Sequence, residues 1–366
     1  VSLAEGPVRV MLCDDSTTVR AALARVLEAD PEIRVVSRVG DGRQAVEAFA
    51  ALPLAGRPQV VLLDLEMPVM DGMTALPLLL KQTPRPAVIV ASALSQKGAA
   101  VTMDALRAGA VDYIPKPQAA GGGLADPNFR ADLVAKVKGW ARMGRARPAP
   151  VSAPVRRVTP AAVAVAPRGG LRVVAIGCST GGPQALATLV KGLTRPLPVP
   201  VVVVQHMPAG FTAMLADHLN RLKRLPCAEA VEGETLRPGR LYLAPGDRHL
   251  TVEAGPGGSL VARIGSGPPE NFCRPAVDPL LRSLAACCAD AVLAVILTGM
   301  GSDGLNGCRL VAQAGGTVLA QDEASSVVWG MPGAVAKAGL ARVLLPPEQL
   351  AEQILAALPA RAGAVA

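Results

Sequence analysis

A chain of 366 residues is long for one core, so two domains are expected. Its 51% hydrophobic and 18% charged residues exclude a disordered chain, and only 2% aromatics leave Val, Leu, Ile and Ala to build the cores. A net charge of +8 would suit a nucleic-acid binder, but eleven Lys and Arg fall between Leu133 and Ala216, where there is no Asp or Glu, and the remainder is acidic on balance.

Too few aromatics interleave with those cations for base stacking, so no nucleic-acid partner is expected. Much of the excess lies in a Pro/Ala/Arg-rich segment, 138–170, which reads as a solvated linker between domains at 1–137 and 171–362. Seven cysteines are odd in number, scattered and without C-x-x-C, which excludes a zinc ribbon and points to a reducing cytoplasm. The most apolar run, VPVVVV at 199–204, is far shorter than a bilayer span, so no membrane insertion is expected.

The first half alternates. Val8–Cys13 is a short apolar run ending in Asp14-Asp15, and Ser16 and Thr17 can cap a helix with apolar positions at 19, 22, 23, 26 and 27. Ile33–Val39 precedes Asp41-Gly42 and a helix near 43–51. Val60–Leu63 leads to Asp64, Ala87–Ala91 to Ser92, and Val111–Ile114 to Pro115-Lys116-Pro117. Strands alternating with helices imply a parallel sheet covered on both faces, with ligands beyond the carboxyl ends of its strands.

Asp14, Asp15, Asp64, Ser92 and Lys116 all fall at such ends. Three carboxylates in one crevice repel unless a cation holds them, and an oxygen-only donor set favours Mg²⁺ over zinc. A lysine beside them suits a phosphoryl group.

The Asp14-Asp15 pair, LLDLEMPVMDG at 62–72 and YIPKP at 113–117 resemble the receiver domain of bacterial response regulators. The resemblance implies a flavodoxin-like (βα)5 fold in which Asp64 accepts a phosphoryl group from a histidine kinase. It also implies that Asp15, Asp64 and the Glu66 carbonyl hold Mg²⁺ with help from Asp14, that Lys116 contacts the phosphoryl oxygens, and that Ser92 and Tyr113 form a switch pair. Phosphorylation would draw Ser92 toward the new oxygens and let Tyr113 turn inward.

The alternation restarts after the linker. Leu171–Ile176 leads into AIGCSTGG at 175–182, with a helix expected over Pro183–Lys191. Val199–Gln205 ends at His206, Val292–Leu297 ends in TGMGSDG, and Gly316–Gln321 leads into DEASS. A second mainly parallel sheet with its site at the carboxyl edge follows.

AIGCSTGG satisfies G-x-S-x-G around Ser179, but a phosphate-cradling loop and a plain turn share its glycines. No lysine follows as in G-x-x-x-x-G-K-[ST], which weakens the phosphate reading. Cys178 is a formal alternative nucleophile with no evident activating cation.

A serine needs a base within reach. Of three histidines, His218 lies in a helical run and reads as a surface residue, and His249 is ambiguous. His206 follows its strand as Ser179 follows its own and is the best base. Asp303, in a glycine-rich loop at a third strand end, is the natural carboxylate to orient it. The order Ser…His…Asp is not that of the α/β-hydrolases.

The motifs AIGCSTGGPQAL, QHMPAGFT, LAPGDRHL, ILTGMGSDG and QDEASSVVWGMP resemble the catalytic domain of the chemotaxis protein-glutamate methylesterases. The resemblance implies a Rossmann-like fold, Ser179 as nucleophile, His206 as base, Asp303 as orienting carboxylate, and an oxyanion site near Thr180 and Met300. It further implies a monomer that needs no cofactor in this half, acts on chemoreceptors, and deamidates particular glutamines by the same acyl-enzyme route. Two rivals remain beside it: a response regulator whose second half only binds, and a serine peptidase.

Overall fold

The structure is a computed structural model describing residues 6–93, 95–116, 123–145 and 170–358. Pro117, most of the expected linker and residues 359–362 lie outside the described residues. The chain divides into two compact units, Val1–Ala149 and Pro150–Ala366.

The first unit runs β1 (Val8–Cys13), α1 (Thr17–Glu28), β2 (Ile33–Val39), α2 (Gly42–Ala51), β3 (Val60–Asp64), α3 (Gly72–Leu80), β4 (Ala87–Ser92), α4 (Gln96–Ala108), β5 (Asp112–Pro115) and α5 (Pro127–Arg145). Its sheet is wholly parallel in the order β2-β1-β3-β4-β5. Every residue of β3 is buried, as a strand covered by helices on both faces requires. The winding reverses beside β1, so the ends of β1 and β3 border the crevice where such sheets take ligands. Helices α1 to α4 start where the sequence supplies a cap: Ser16, Asp41, Asp71 and Ser95 each accept a hydrogen bond from a first-turn N–H.

Helix α5 continues to Arg145, eight residues past the boundary expected at 137, because the Pro/Ala/Arg composition begins inside a packed helix. Trp140 and Ala141 are buried, and Trp140 Nε1 donates to Asp112 at 3.1 Å. Lys138, counted above with the free basic excess, pairs with Asp30 at 3.2 Å and with Glu32. Lys136 is buried too, 3.0 Å from Asp132 and 3.9 Å from Asp112, and donates to the Tyr113 carbonyl at 2.8 Å.

The second unit runs β6 (Val173–Cys178), α6 (Gly182–Gly192), β7 (Val201–Gln205), α7 (Phe211–Asn220), β8 (Cys227–Glu229), β9 (Leu241–Leu243), β10 (His249–Ala254), β11 (Leu260–Gly265), α8 (Val277–Cys288), β12 (Val292–Ile296), α9 (Leu305–Gln313), β13 (Thr317–Gln321), α10 (Met331–Lys337), β14 (Leu344–Leu345) and α11 (Pro347–Ala357). Seven strands form a parallel sheet in the order β14-β13-β12-β6-β7-β9-β8, and β10 and β11 make a separate antiparallel hairpin. From β6 the chain winds first toward β7 and β9, then returns to lay β12, β13 and β14 on the other side. The crevice therefore opens at the end of β6.

Strands β8, β9 and β14 span only three, three and two residues and carry no readable alternation, so they went unanticipated.

Removing one member of a buried ion pair strands the other. Lys136→Ala should therefore destabilise the first unit by about 3–5 kcal/mol, read as a lower urea midpoint followed by Trp140 fluorescence. An unchanged midpoint would mean that Asp112 and Asp132 are held by other groups.

Candidate active site

Strand register puts the principal side chains side by side. Cys178 of β6 lies opposite Gln205 of β7, so one residue further Ser179 lies opposite His206, one strand spacing of about 4.8 Å away. The His206 N–H donates to the Cys178 carbonyl at 3.1 Å. Gln205, buried at the end of β7, donates from Nε2 to the carbonyls of Ser179 at 2.9 Å and His206 at 3.2 Å. Register, rather than a formed hydrogen bond, pairs Ser179 with His206 here.

On the other side of β6, the Ser179 N–H donates to the Thr298 carbonyl at 3.0 Å, and Thr298 Oγ1 donates to the Thr180 carbonyl at 2.9 Å. Gly299 packs directly on the Ser179 turn, since a β-carbon there would fall 2.8 Å from Ser179 Cβ and collide with Met331 Sδ. Only glycine allows that approach. Thr180 is buried in the turn that opens α6, and Met300 directly follows Gly299.

Asp303, 2% exposed, sits in the loop between β12 and α9 and accepts from His206 Nε2 at 2.7 Å. The same oxygen accepts the Val277 N–H at 2.6 Å; the other takes Asp278 N–H at 3.1 Å, Gly304 N–H at 2.9 Å and Asn271 Nδ2 at 2.9 Å. Val277 and Asp278 open α8, whose N-cap Ala276 offers no side-chain acceptor, so Asp303 supplies from afar the negative charge that this helix end favours. Asp278 in turn accepts the Gly307 N–H of α9 at 2.7 Å and Asn271 Nδ2 at 3.0 Å.

Burial pushes the Asp303 carboxyl upward, but the His206 hydrogen bond and charge and the α8 amides outweigh it and hold the group below the ordinary carboxylate value. Burial likewise opposes the imidazolium form of His206. The Asp303 hydrogen bond, the Cys273 sulfur and the Asp303 charge overcome that and raise it from 6.5 to about 10. Nδ1, the nitrogen that Asp303 does not engage, lies 3.4 Å from Cys273 Sγ.

The other candidates separate cleanly. Cys178 is fully buried and its thiol is pushed up by desolvation alone, the reverse of an activated nucleophile. His249 is a loop fastener: Nδ1 accepts from the Ala276 N–H at 3.2 Å and Nε2 faces the Pro268 carbonyl at 3.0 Å. His218 is half-buried on α7.

In the first unit, carboxylate oxygens of Asp14, Asp15 and Asp64 lie within 4.8 Å of one another. Lys116 Nζ reaches Asp64 at 2.7 Å, and the Glu66 N–H donates to its other oxygen at 3.1 Å. Gly72 leaves room for the Asp64 carbonyl, which a β-carbon there would strike. Desolvation is the largest influence on Asp14 and on Asp64 and raises both, against the opposing pull of Lys116. Asp14 and Asp64 are buried and Asp15 is exposed, and a hard divalent cation suits this all-oxygen set.

The Ser92 hydroxyl donates to the Gly98 carbonyl at 3.0 Å, and the crevice it shares with Asp64 holds about 10 Å³, room for one water. The Tyr113 ring is buried, with Lys136 Nζ 5.2 Å from the ring centre.

A five-stranded α/β unit with an acidic cluster at its strand ends, followed by a parallel α/β unit carrying a His–Asp couple beside a strand-end serine, defines a response regulator with a hydrolase-type effector. Residues 10–123 match the response regulator receiver domain and residues 174–354 the CheB methylesterase family. A protein-glutamate methylesterase/protein-glutamine glutaminase from Paramagnetospirillum magneticum is 47% identical, covering 97% of each chain. One from Azospirillum brasilense is 48% identical over 95% of this chain and 92% of its own. The crystal structure of the Thermotoga maritima CheB methylesterase catalytic domain is 42% identical, with a TM-score of 0.50, over 51% of this chain and 98% of that one. The chain belongs to the CheB methylesterase family.

A base must be neutral to accept a proton, so a raised His206 pKa moves the acid limb of the rate profile upward. Ester hydrolysis should still be climbing between about pH 7 and about pH 9. Asp303→Asn should shift that limb to lower pH while cutting the plateau by roughly 10⁴. A limb that stays in place would mean that Asp303 does not set the His206 pKa.

Proposed function

We propose that this chain is a phosphorylation-controlled protein-glutamate methylesterase that also acts as a protein-glutamine glutaminase on methyl-accepting chemoreceptors. The His206–Asp303 hydrogen bond at the carboxyl edge, beside Ser179, carries the reading, and the names of relatives aligned over nearly the whole chain support the substrate. Ser179 Oγ attacks the γ-carbonyl of the glutamyl ester while His206 Nδ1 takes its proton. The backbone N–H groups of Thr180 and Met300 hold the oxyanion. Collapse returns the proton to the leaving oxygen, methanol departs, and an acyl-Ser179 remains. Water, deprotonated by His206, then attacks that acyl group and frees glutamate. With glutamine the leaving group is ammonia.

In the receiver unit, Asp64 accepts the phosphoryl group of a histidine kinase. Asp14, Asp15, Asp64 and the Glu66 carbonyl would hold Mg²⁺, which supplies positive charge against the phosphoryl oxygens, and Lys116 supplies the rest. A phosphoryl group needs more room than one water occupies, so Ser92 must leave the Gly98 carbonyl and turn its hydroxyl to the new oxygens. Tyr113 completes the switch by repacking within its buried position. Seven free thiols support a reducing cytoplasm as the setting.

Methanol release from methylated receptor membranes tests the assignment. Ser179→Ala should lower kcat by on the order of 10⁶, and Cys178→Ala should keep most of the rate. Turnover persisting in folded Ser179→Ala protein would sink the nucleophile.

A small phosphodonor addresses the control. It should speed the wild type and leave Asp64→Asn at the basal rate. Equal stimulation of both would place the phosphoacceptor elsewhere.

A further inference from the structure

The segment between β11 and α8 makes a tight turn. Glu270 and Cys273 exchange both backbone hydrogen bonds, at 3.1 and 2.9 Å, and the two residues between them, Asn271 and Phe272, have φ of 51° and 62°. Two consecutive positive φ values are the pattern of a type I′ turn, which favours Asn first and Gly second. Asn271 fits. Phe272 does not, because a bulky side chain in this backbone region is strained.

The ring gains nothing from the core in return. At 86% exposure Phe272 is the most exposed large hydrophobic among the described residues, whereas Phe49 and Phe211 are buried. With only four Phe in the chain, one held in strain and in water is not filler.

Its neighbours tie it to the catalytic couple. Asn271 Nδ2 bonds Asp303 at 2.9 Å, and Cys273 Sγ touches His206 Nδ1 at 3.4 Å. Consecutive Cα atoms are about 3.8 Å apart, so Phe272 stands one residue from each of these contacts. Ion pairs flank it, Arg282 with Glu270 and Arg274 with Asp247, both at 2.6 Å. An apolar tip inside a polar rim is the anatomy of a docking anchor.

We propose that Phe272 is a specificity-determining residue that docks an apolar side chain of the protein substrate flanking the glutamyl group delivered to Ser179. The inference rests on the protein-glutamate reading above. A small ester ends at its own acyl chain and has nothing to place against an external ring. A protein carries further side chains across the rim, where burying an aromatic face is favourable.

The test compares, in the full chain, kcat/KM for methylated receptor membranes with kcat/KM for ethyl acetate, a small aliphatic ester followed by acid release. The ratio of the two should fall about tenfold in Phe272→Ala and Phe272→Gly, through KM, because uniform binding has been removed. Phe272→Leu should keep most of it, and Leu344→Ala, exposed on β14, should match the wild type. Phe272→Gly suits the turn and should melt no lower than wild type, which separates docking from misfolding. An unchanged ratio in the Ala and Gly variants overturns the proposal, and so does an equal loss on both substrates, which would make the turn a positioning element. A wild type that cleaves the small ester but releases no methanol overturns the substrate reading and this inference with it.

Discussion

A carboxylate taken out of water must be given back its hydrogen bonds, and Asp303 receives five donors at 2% exposure. Two are the opening amides of α8, one is its own neighbour Gly304, one is Asn271 and one is His206. The arrangement fixes the position of α8, the turn at 270–273 and the imidazole together. Loss of the carboxylate would leave the amides of Val277, Asp278 and Gly304 and the Nε2 of His206 without this acceptor, so the site is assembled around this one anion.

The helix ends show how the fold makes room for it. In the first unit, α1 to α4 satisfy their first-turn N–H groups with their own capping side chains. In the second, α6 to α11 have no side-chain cap, and most begin after Gly or Ala. The donors left over are spent elsewhere: those of α8 on Asp303 and one of α9 on Asp278. Forgoing local caps, worth typically ~1 kcal/mol each, leaves amides available to distant carboxylates.

Much of this was legible from sequence because it is local. Strand-end positions of Asp14, Asp64, Ser179, His206 and Asp303 follow from apolar runs and the residues that stop them. The parallel sheets follow from the length of the alternating helices. What was not legible is long-range. Nothing near Asn271 announces that its amide bridges Asp303 and Asp278, and Gln205 looked like a strand end rather than a clamp on two carbonyls. His249 was ambiguous because its partners, Ala276 and Pro268, lie 19 or more residues away. The boundary expected at 137 falls inside α5, because Arg, Ala and Gly composition does not reveal that Trp140 meets buried Asp112. Phe272 carries no sequence signature, since its φ is imposed by the turn it closes.

The central claim is that His206, held by Asp303, activates Ser179. Covalent trapping with a fluorophosphonate examines that chemistry without any assumption about the natural substrate: Ser179 Oγ displaces fluoride, and the adduct is located by peptide mass spectrometry. The result expected is one phosphonyl group per chain, on the peptide bearing Ser179, with the labelling rate collapsing in His206→Ala and strongly reduced in Asp303→Ala. Labelling at another residue, or at Ser179 with equal speed in all three proteins, would contradict it.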